Sequence, residues 1–486
     1  MIYKLRPYQE ECVKSISDYI NSDRHDPVLI VGPVGCGKSL LIAEAARLMG
    51  DKTLILQPSK ELLQQNHNKI TSYGIPATIY SASCGKKELS NMIYATLGSI
   101  KKVVGQLKEM GIRNVLIDEA HAGYSPEDGS EFMTFMNELK PKKVIGFTAT
   151  PCRLKTMSIG QVSYSRLNFI TRMRPVYFKN LIHVIQVEEM IRQGFWTPLK
   201  YETWDFNGDA LKLNSNGSEY TAESISEAVR KNGLNNLILR RLMVLKDVCR
   251  SILVFMDSVE SCNTAAEWMN AKICAGMAEV VHGGTPKKQR EAIVEGFKSG
   301  KTKVVFNYSA LGTGFDHPGL DCVIVGRPTF SFSSFYQWLG RAVRIKDGKD
   351  SALVVDCCNN SSRFGDIRKL SIENYKGYGW GMFIGDKLIT NIPMGDKVTK
   401  TDLDIKAAKK DRRRGLAQGV TAAPVPGRPD HPLGSTVMTF GKYCGWMFHS
   451  IPVSYFKFIN ETFDWDNDRN KDIKEYIDFL IKNNRL

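Results

Sequence analysis

Short, unbroken runs of apolar and largely β-branched residues recur through about the first 360 positions, each closed by turn formers or followed by a stretch with helical period. They form two sets. The first holds Val28 to Val31, Thr53 to Leu56, Val115 to Ile117 and Val144 to Phe147; the second holds Ile252 to Phe255, Glu279 to Val281, Val304 to Phe306, Val323 to Val325 and Leu353 to Val355. Continuous rather than alternating hydrophobicity belongs to strands covered on both faces, so the pattern predicts parallel sheets flanked by helices, an α/β chain with two such domains in tandem. Residues 156 to 200 lack the rhythm and are rich in Arg, Phe and Tyr, which predicts an irregular connector ending in Ile191-Arg192-Gln193-Gly194-Phe195-Trp196-Thr197-Pro198. After about residue 360 the strand rhythm is expected to stop. A basic run, Lys409-Lys410-Asp411-Arg412-Arg413-Arg414, leads into a Gly, Ala and Pro-dense stretch that reads as a linker, and the last fifty or so residues regain enough aromatic and helical patterning for a small accessory module. The expected divisions are residues 1–185, 186–395, 396–435 and 436–486.

The run Val28 to Val31 feeds directly into Gly32-Pro33-Val34-Gly35-Cys36-Gly37-Lys38-Ser39, which fills every required position of G-x-x-x-x-G-K-[ST], and a helix is expected from Leu40 to Met49 with Gly50 as its stop. Strand, glycine-rich turn and helix in that order form a phosphate-binding loop. Gly32, Gly35 and Gly37 let backbone N–H groups crowd around a triphosphate at a helix N-terminus, with Cys36 and Leu40 completing the loop. Lys38 is placed to reach the β- and γ-phosphates, and the Ser39 hydroxyl to ligate Mg²⁺. The pattern predicts binding of a nucleoside triphosphate, ATP with Mg²⁺.

Asp118-Glu119-Ala120-His121 follows the run Val115 to Ile117, so two carboxylates emerge at a strand's C-terminal end. An acidic pair there can cap a helix. Beside a phosphate loop it has different work: Asp118 as a Mg²⁺ ligand and Glu119 as the group that orients and deprotonates an attacking water. Near the N-terminus, Arg6, Tyr8 and Gln9 could stack on and hydrogen-bond a purine, while Pro7 serves equally as an ordinary helix start. In Gln337-Trp338-Leu339-Gly340-Arg341-Ala342-Val343-Arg344 the two arginines lie three apart and are expected on one helix face with Gln337. From there they would meet a γ-phosphate held by the other domain, Gly340 allowing close approach. A guanidinium so placed is worth about 10³ to 10⁵ in rate in phosphoryl transfer.

Composition narrows the partners. The 486 residues are too many for a single core. Hydrophobic residues at 43% and charged residues at 24% are ordinary globular usage, and no apolar run reaches the roughly 18 residues of a membrane span. The N-terminal segment lacks the layout of a signal peptide, which predicts a cytoplasmic protein of a bacterium, or of a host cell if phage-encoded. The 11 cysteines are scattered with no C-x-x-C pair, against a zinc cage or a disulfide framework. A formal net charge of +15, from 66 Lys and Arg against 51 Asp and Glu, favours a polyanionic partner, nucleic acid above all.

Taken in order, Gln9, Gly32 to Ser39, Gln57-Pro58-Ser59-Lys60-Glu61-Leu62, Ala95-Thr96-Leu97-Gly98-Ser99, Asp118 to His121, Thr148-Ala149-Thr150, Gly312 to Asp316 and Gln337 to Arg344 resemble the motif series of superfamily-two helicases, over about residues 1 to 360. Within that superfamily, Lys60-Glu61-Leu62 with Gln65-Asn66-His67, Phe147 to Leu154, and Thr313 to Asp316 with Arg327-Pro328-Thr329 look most like the bacterial RadD-like DNA-repair helicases. The resemblance implies two RecA-like lobes, ATP in the cleft between them and nucleic acid lying across both. It further implies that Gly314 and Asp316 face the nucleotide, that Pro58, Lys60, Thr96, Ser99, Gly312 and Thr313 face nucleic acid, and that Thr148-Ala149-Thr150 couples hydrolysis to strand movement. The cysteine-rich zinc module of RadD-type proteins is absent. Instead Met438 to Trp446, with Ile451-Pro452 and Tyr455-Phe456, is similar to an F-G-K-Y-x-G module at the ends of some exonucleases and phage proteins, whose aromatics serve a compact core as well as a base-stacking platform. The expectation is an ATP-dependent helicase or translocase, with DNA favoured over RNA and with single-strand-binding or recombination proteins as partners. An RNA helicase, an ATP-driven remodeller and the motor subunit of a nuclease complex stay open beside it.

Overall fold

A computed structural model describes residues 4–50, 52–159, 162–311, 315–407, 431–438, 443, 446–462 and 471–483. The chain divides into two compact units, residues 1–375 with 379–398, and residues 376–378 with 399–486.

The first unit contains both sheets that the apolar runs predict. The strands of the first are β1 (Val28–Val31), β2 (Thr53–Leu56), β3 (Thr78–Ser81), β4 (Lys86–Lys87), β5 (Met92–Ala95), β6 (Asn114–Ile117) and β7 (Lys143–Thr148). After a separate hairpin of β8 (Cys152–Ile159) and β9 (Val162–Phe169), β10 (Asn180–Val184) joins its edge. The order is β10-β1-β7-β6-β2-β5-β3-β4, parallel throughout except for the β3–β4 pair. The second sheet orders β11 (Leu199–Thr203), β12 (Ile252–Phe255), β13 (Ala278–His282), β14 (Val304–Tyr308), β15 (Cys322–Val325) and β16 (Ala352–Asp356) as β11-β16-β15-β12-β14-β13, with every pair parallel. Val28 to Val31, Leu54 to Leu56 and Ile252 to Phe255 are almost wholly buried, the burial on both faces that an unbroken apolar run implies. Each fully buried aliphatic or aromatic side chain contributes about 1.5–3 kcal/mol. These are two RecA-like lobes. In a parallel sheet all strands end at one edge, so residues 32–39, 57–60, 96–99, 118–121 and 148–150 emerge along one rim of the first lobe.

The connector is not irregular. It holds the hairpin β8–β9, the edge strand β10, a short helix Val187–Arg192 and β11, which opens the second sheet. Edge strands need little apolar surface, and β10 is exposed or half-buried along its length, so it carries no unbroken hydrophobic run. The strand rhythm also continues past residue 360: β17 (Leu370–Tyr375), β18 (Gly379–Ile384) and β19 (Lys387–Leu388) pair antiparallel, with alternating burial in β17 and only two residues in β19, a pattern that a search for buried parallel strands passes over. Residues 400–407, expected as the start of the linker, are helical. The basic run at 409–414 lies outside the described residues.

The second unit has its own small core, formed by Met438, Phe448, Ile451, Phe456, Ile459, Ile473, Tyr476, Ile477 and Leu480. Helices Val453–Thr462 and Lys471–Lys482 supply most of it, with an antiparallel bridge between Val437 and Met447. Within the expected module Tyr443 is partly buried and Trp446 exposed, while Phe440, Gly441 and Lys442 lie outside the described residues. No helix among the described residues is long and apolar enough to cross a membrane.

Candidate active site

Local chemistry builds the phosphate loop. Gly35 and Gly37 sit at φ +82° and +84°, a region open to glycine at little cost, and Gly37 hands directly over to α2 (Lys38–Met49) as its N-terminal cap. A Cβ on Gly37 would stand 2.6 Å from the Gln9 amide nitrogen, and one on Gly32 would stand 2.6 Å from Cys36 Sγ. Cys36 is buried with its thiol turned to Gly32, so it can offer the cleft only backbone. Its carbonyl accepts from Gln9 Nε2 at 2.8 Å and from Tyr8 OH at 3.2 Å. α1 (Pro7–Asn21) begins at Pro7, so the helix-start reading of Pro7 and the placement of Gln9 beside the loop hold together. Both polar atoms of the Gln9 amide have protein partners, Oε1 accepting from the Arg6 N–H at 3.0 Å. Arg6 lies over the Phe195 ring, 4.5 Å from its centroid, and both line the cleft with Gln9.

Lys38 Nζ and Glu119 Oε1 form an ion pair at 2.7 Å, both side chains mostly buried. Glu119 has φ +46°, a left-handed conformation that costs a non-glycine residue about 1–2 kcal/mol, in the turn that follows β6. Burial would raise its carboxyl pKa, but Lys38 and the His121 ring beside Oε2 at 3.3 Å outweigh it and keep the group ionised. Asp118 behaves oppositely: burial, with the adjacent Glu119 charge, raises its carboxyl pKa above the ordinary range. Asn66 joins the two candidate metal ligands, donating to Asp118 Oδ2 at 2.9 Å and accepting from Ser39 Oγ at 2.5 Å. A hydroxyl and a carboxylate suit a hard divalent cation, and Mg²⁺ is usually held by one or two carboxylates plus substrate phosphates, not by a protein cage. The residues therefore fit Mg²⁺: a buried carboxylate raised by its neighbour's negative charge is the group a cation would relieve. Among the described residues no group of three or more His, Cys, Asp or Glu forms a metal cage.

The second lobe closes the other side. Gln337, Gly340, Arg341, Arg344 and Asp316 line the same cleft, of about 580 Å³, as Gly35, Gly37, Lys38, Ser39, Leu40, Asp118 and Glu119. A Cβ at Gly340 would collide with Val34 of the phosphate loop, so the approach that glycine permits is realised. Trp196, buried, donates its indole N–H to Val34 O at 2.9 Å. The two arginines do not share a helix face. The helix stops at Leu339, and both lie in the turn and loop beyond it. Arg341 Nη1 donates to Phe315 O at 2.7 Å, and Arg344 pairs with Asp316. Burial lowers both guanidinium pKa values to about 10, which leaves them charged at neutral pH.

His121 reaches between lobes. Nδ1 meets Thr148 Oγ1 at 2.8 Å, Nε2 meets Ser333 Oγ at 3.1 Å, and Ser333 Oγ in turn meets Thr150 Oγ1 at 3.1 Å. Arg153 holds the 120–124 turn from below, donating to Ala120, His121 and Tyr124 carbonyls. Pro58 and Lys60 follow β2 while Thr96 and Ser99 follow β5, its sheet neighbour. They are thus grouped on the same rim as the phosphate loop but apart from it, Thr96 Oγ1 donating to Ser99 Oγ at 3.2 Å. Gly312, Thr313 and Gly314 lie outside the described residues. Ser333, Phe195 and Trp196 carry no motif signal for these contacts, and Asn66 falls within Gln65-Asn66-His67, where the run itself assigns its amide no role.

Family models match parts of both lobes. Residues 2–153 match the family model described as "Type III restriction enzyme, res subunit", and residues 235–346 match "Helicase conserved C-terminal domain". The chain is 25% identical over 332 residues to a 51.5 kDa protein of Lactococcus phage (isolate 7-9), covering 68% of this chain and 65% of that one. It is 24% identical over 381 residues to "DNA 3'-5' translocase XPB2" of Sulfurisphaera tokodaii, covering 72% and 81%. It thus spans just under two thirds of the phage relative. Among solved structures, a fragment of an HsdR subunit of a type I restriction enzyme from Vibrio vulnificus superposes with a TM-score of 0.55 at 18% identity, over 75% of this chain and 66% of that one, a likeness of fold.

Proposed function

We propose that this chain, built on a superfamily-two helicase core, is an ATP-dependent helicase or translocase acting on DNA. One observation carries the reading: Lys38 and Glu119 of the first lobe, 2.7 Å apart, face Arg341 and Arg344 of the second across a single cleft. In the resting pair Lys38 is neutralised by Glu119. Entry of the triphosphate supplies Lys38 with phosphate oxygens as a stronger partner, which releases Glu119 to orient a water and take its proton. Mg²⁺ bound through Ser39 and Asp118 would neutralise charge on the phosphate oxygens. Asn66 keeps those two oxygens in register, and Arg341 and Arg344 stabilise charge that develops on the transferred group. Because His121 touches Glu119 on one side and Ser333 of the second lobe on the other, hydrolysis and lobe movement share a hydrogen-bonded path. Pro58, Lys60, Thr96 and Ser99 form the first-lobe part of the nucleic-acid track in this reading, and Arg6, Gln9 and Phe195 the purine side of the cleft.

The relative named as a DNA translocase and the RadD-like motif variants support DNA as the substrate, in repair, recombination or replication. The match of residues 2–153 to a restriction-enzyme subunit model favours a second reading, a motor that works with a nuclease and does not separate strands itself. ATPase rates measured in parallel with single-stranded DNA, duplex, forked DNA and RNA, beside a strand-displacement assay, separate these. Stimulation by DNA above RNA together with fork displacement is expected. Stimulation by RNA well above DNA would overturn the substrate assignment, and DNA-stimulated hydrolysis without displacement would favour the motor.

A further inference from the structure

Once the Phe332–Leu339 helix ends, a turn closed by the Arg341 N–H on Trp338 O and the Ala342 N–H on Leu339 O carries Arg341, and no regular secondary structure carries the chain on through Arg344. Three successive carbonyls there are instead held from outside. Ala342 O accepts from Lys349 Nζ at 2.7 Å, Val343 O accepts from the Thr197 N–H at 2.8 Å, and Arg344 O accepts from Thr197 Oγ1 at 2.7 Å and from Lys349 Nζ at 2.8 Å. The same ammonium reaches Pro318 O at 3.2 Å. Pro318 belongs to the stretch that supplies Phe315 O to Arg341 and the Asp316 carboxylate to Arg344. An ammonium has three donors, and here all three are directed at carbonyls. A tight turn makes this geometry reachable: the Lys349 N–H donates to Lys346 O at 3.0 Å and Gly348 takes φ +74°. Lys349 itself does not line the nucleotide cleft.

We propose that Lys349 is a positioning residue for ATP hydrolysis, tying the backbone of the two-arginine segment to the 315–318 segment so that both guanidiniums are held toward the phosphates. This rests on the reading of Arg341 and Arg344 as transition-state groups. Physically, a flexible loop would leave each arginine to find its pose by search, whereas a charge-assisted triple contact removes that freedom before substrate arrives. Lys349 is half-buried, and burial lowers its pKa to about 8; Asp321 opposes the shift, and Arg344 and Lys346 add to it. Arg250, Lys298, His317 and Asp350 line the hollow beside it. The clamp is therefore complete below pH 8. As pH rises through that value the neutral amine keeps two N–H donors and one carbonyl is released.

Steady-state ATPase of the full chain with saturating single-stranded DNA, from pH 6.5 to 9.5, tests this in the wild type, K349M, K349R and R344A, with thermal melting alongside. K349M is expected to lower kcat by about 10- to 100-fold, the scale of a displacement of about 1 Å at a catalytic group, with KM for ATP nearly unchanged and a cooperative melt retained. K349R is expected to recover most of kcat at pH 7 and to lack an alkaline fall centred near pH 8 that the wild type shows. Wild-type kcat in K349M while R344A is crippled would overturn the role of Lys349. So would a parallel loss of ATP affinity and melting temperature in K349M that K349R does not repair. Wild-type turnover in R344A would instead sink the arginine reading beneath it.

Discussion

Ser333 Oγ, in the second lobe, lies 3.1 Å from His121 Nε2 and 3.1 Å from Thr150 Oγ1, both in the first. One hydroxyl therefore joins the turn that bears Glu119 to the loop after β7, and does so from the opposite lobe. Removing it deletes the shared group without opening a large cavity. S333A should lower DNA-stimulated kcat by about 2- to 10-fold, the equivalent of one or two net hydrogen bonds of about 0.5–1.5 kcal/mol, and S333T should restore part of it. Unaltered stimulation in S333A would show that the contact transmits nothing.

The Lys38–Glu119 ion pair makes two variants behave differently. In the proposed mechanism K38A removes a group that would contact phosphate in ground and transition states alike, so binding and turnover should both fall. E119Q removes the proposed proton acceptor and the charged partner of Lys38 but leaves the loop intact, so nucleotide should still bind while hydrolysis drops by orders of magnitude. Equilibrium titration with a fluorescent ATP analogue and single-turnover hydrolysis distinguish them; equal loss of binding in both would mean that Glu119 is not the base.

Asn66 reaches Ser39 and Asp118 with one amide, so it orders the oxygens expected to receive Mg²⁺. Outer-shell partners of this kind are worth about 10- to 100-fold in metal affinity or activity. N66A should shift the Mg²⁺ concentration for half-maximal ATPase upward on that scale while leaving kcat at saturating Mg²⁺ closer to wild type. An unchanged Mg²⁺ requirement would remove Asn66 from the site.

His317 is buried in the second lobe, its Nε2 2.8 Å from Ser251 Oγ. Burial, with Lys346, Lys298 and Lys349 nearby, lowers its pKa to about 4 from an ordinary 6.5. Between those values the unfolded chain binds the proton that the folded chain refuses, so stability is present above about pH 6.5 and is lost as pH falls toward 4. Melting temperature should drop over that window, and H317Q should flatten the drop. A slope identical in H317Q would assign the acid sensitivity elsewhere.

Much of this molecule was legible in its order of residues because the signals are local. An apolar run such as Val28 to Val31 can be buried only on both faces, and Gly35 and Gly37 sit at positive φ in the turn that the phosphate-loop spacing requires. The acidic pair at 118–119 follows its strand directly, so its place on the rim needed no knowledge of the rest of the chain. Where neighbours in space are distant in sequence, such reading stopped. β10, inside the stretch that reads as irregular connector, carries no apolar signal of its own because an edge strand borrows its stability from the sheet it joins. The arginine spacing suggested a helix face, yet the helix yields at Leu339 and the loop beyond is held by Thr197 and Lys349. Asn66, Ser333 and Trp196 are ordinary residues in their own segments; packing of distant segments gives their side chains partners, Asn66 within the first lobe and Ser333 across the two lobes. Backbone conformation and burial are dictated within a few residues, whereas a site assembled from opposite lobes depends on how separate elements meet, and that is decided by the tertiary structure.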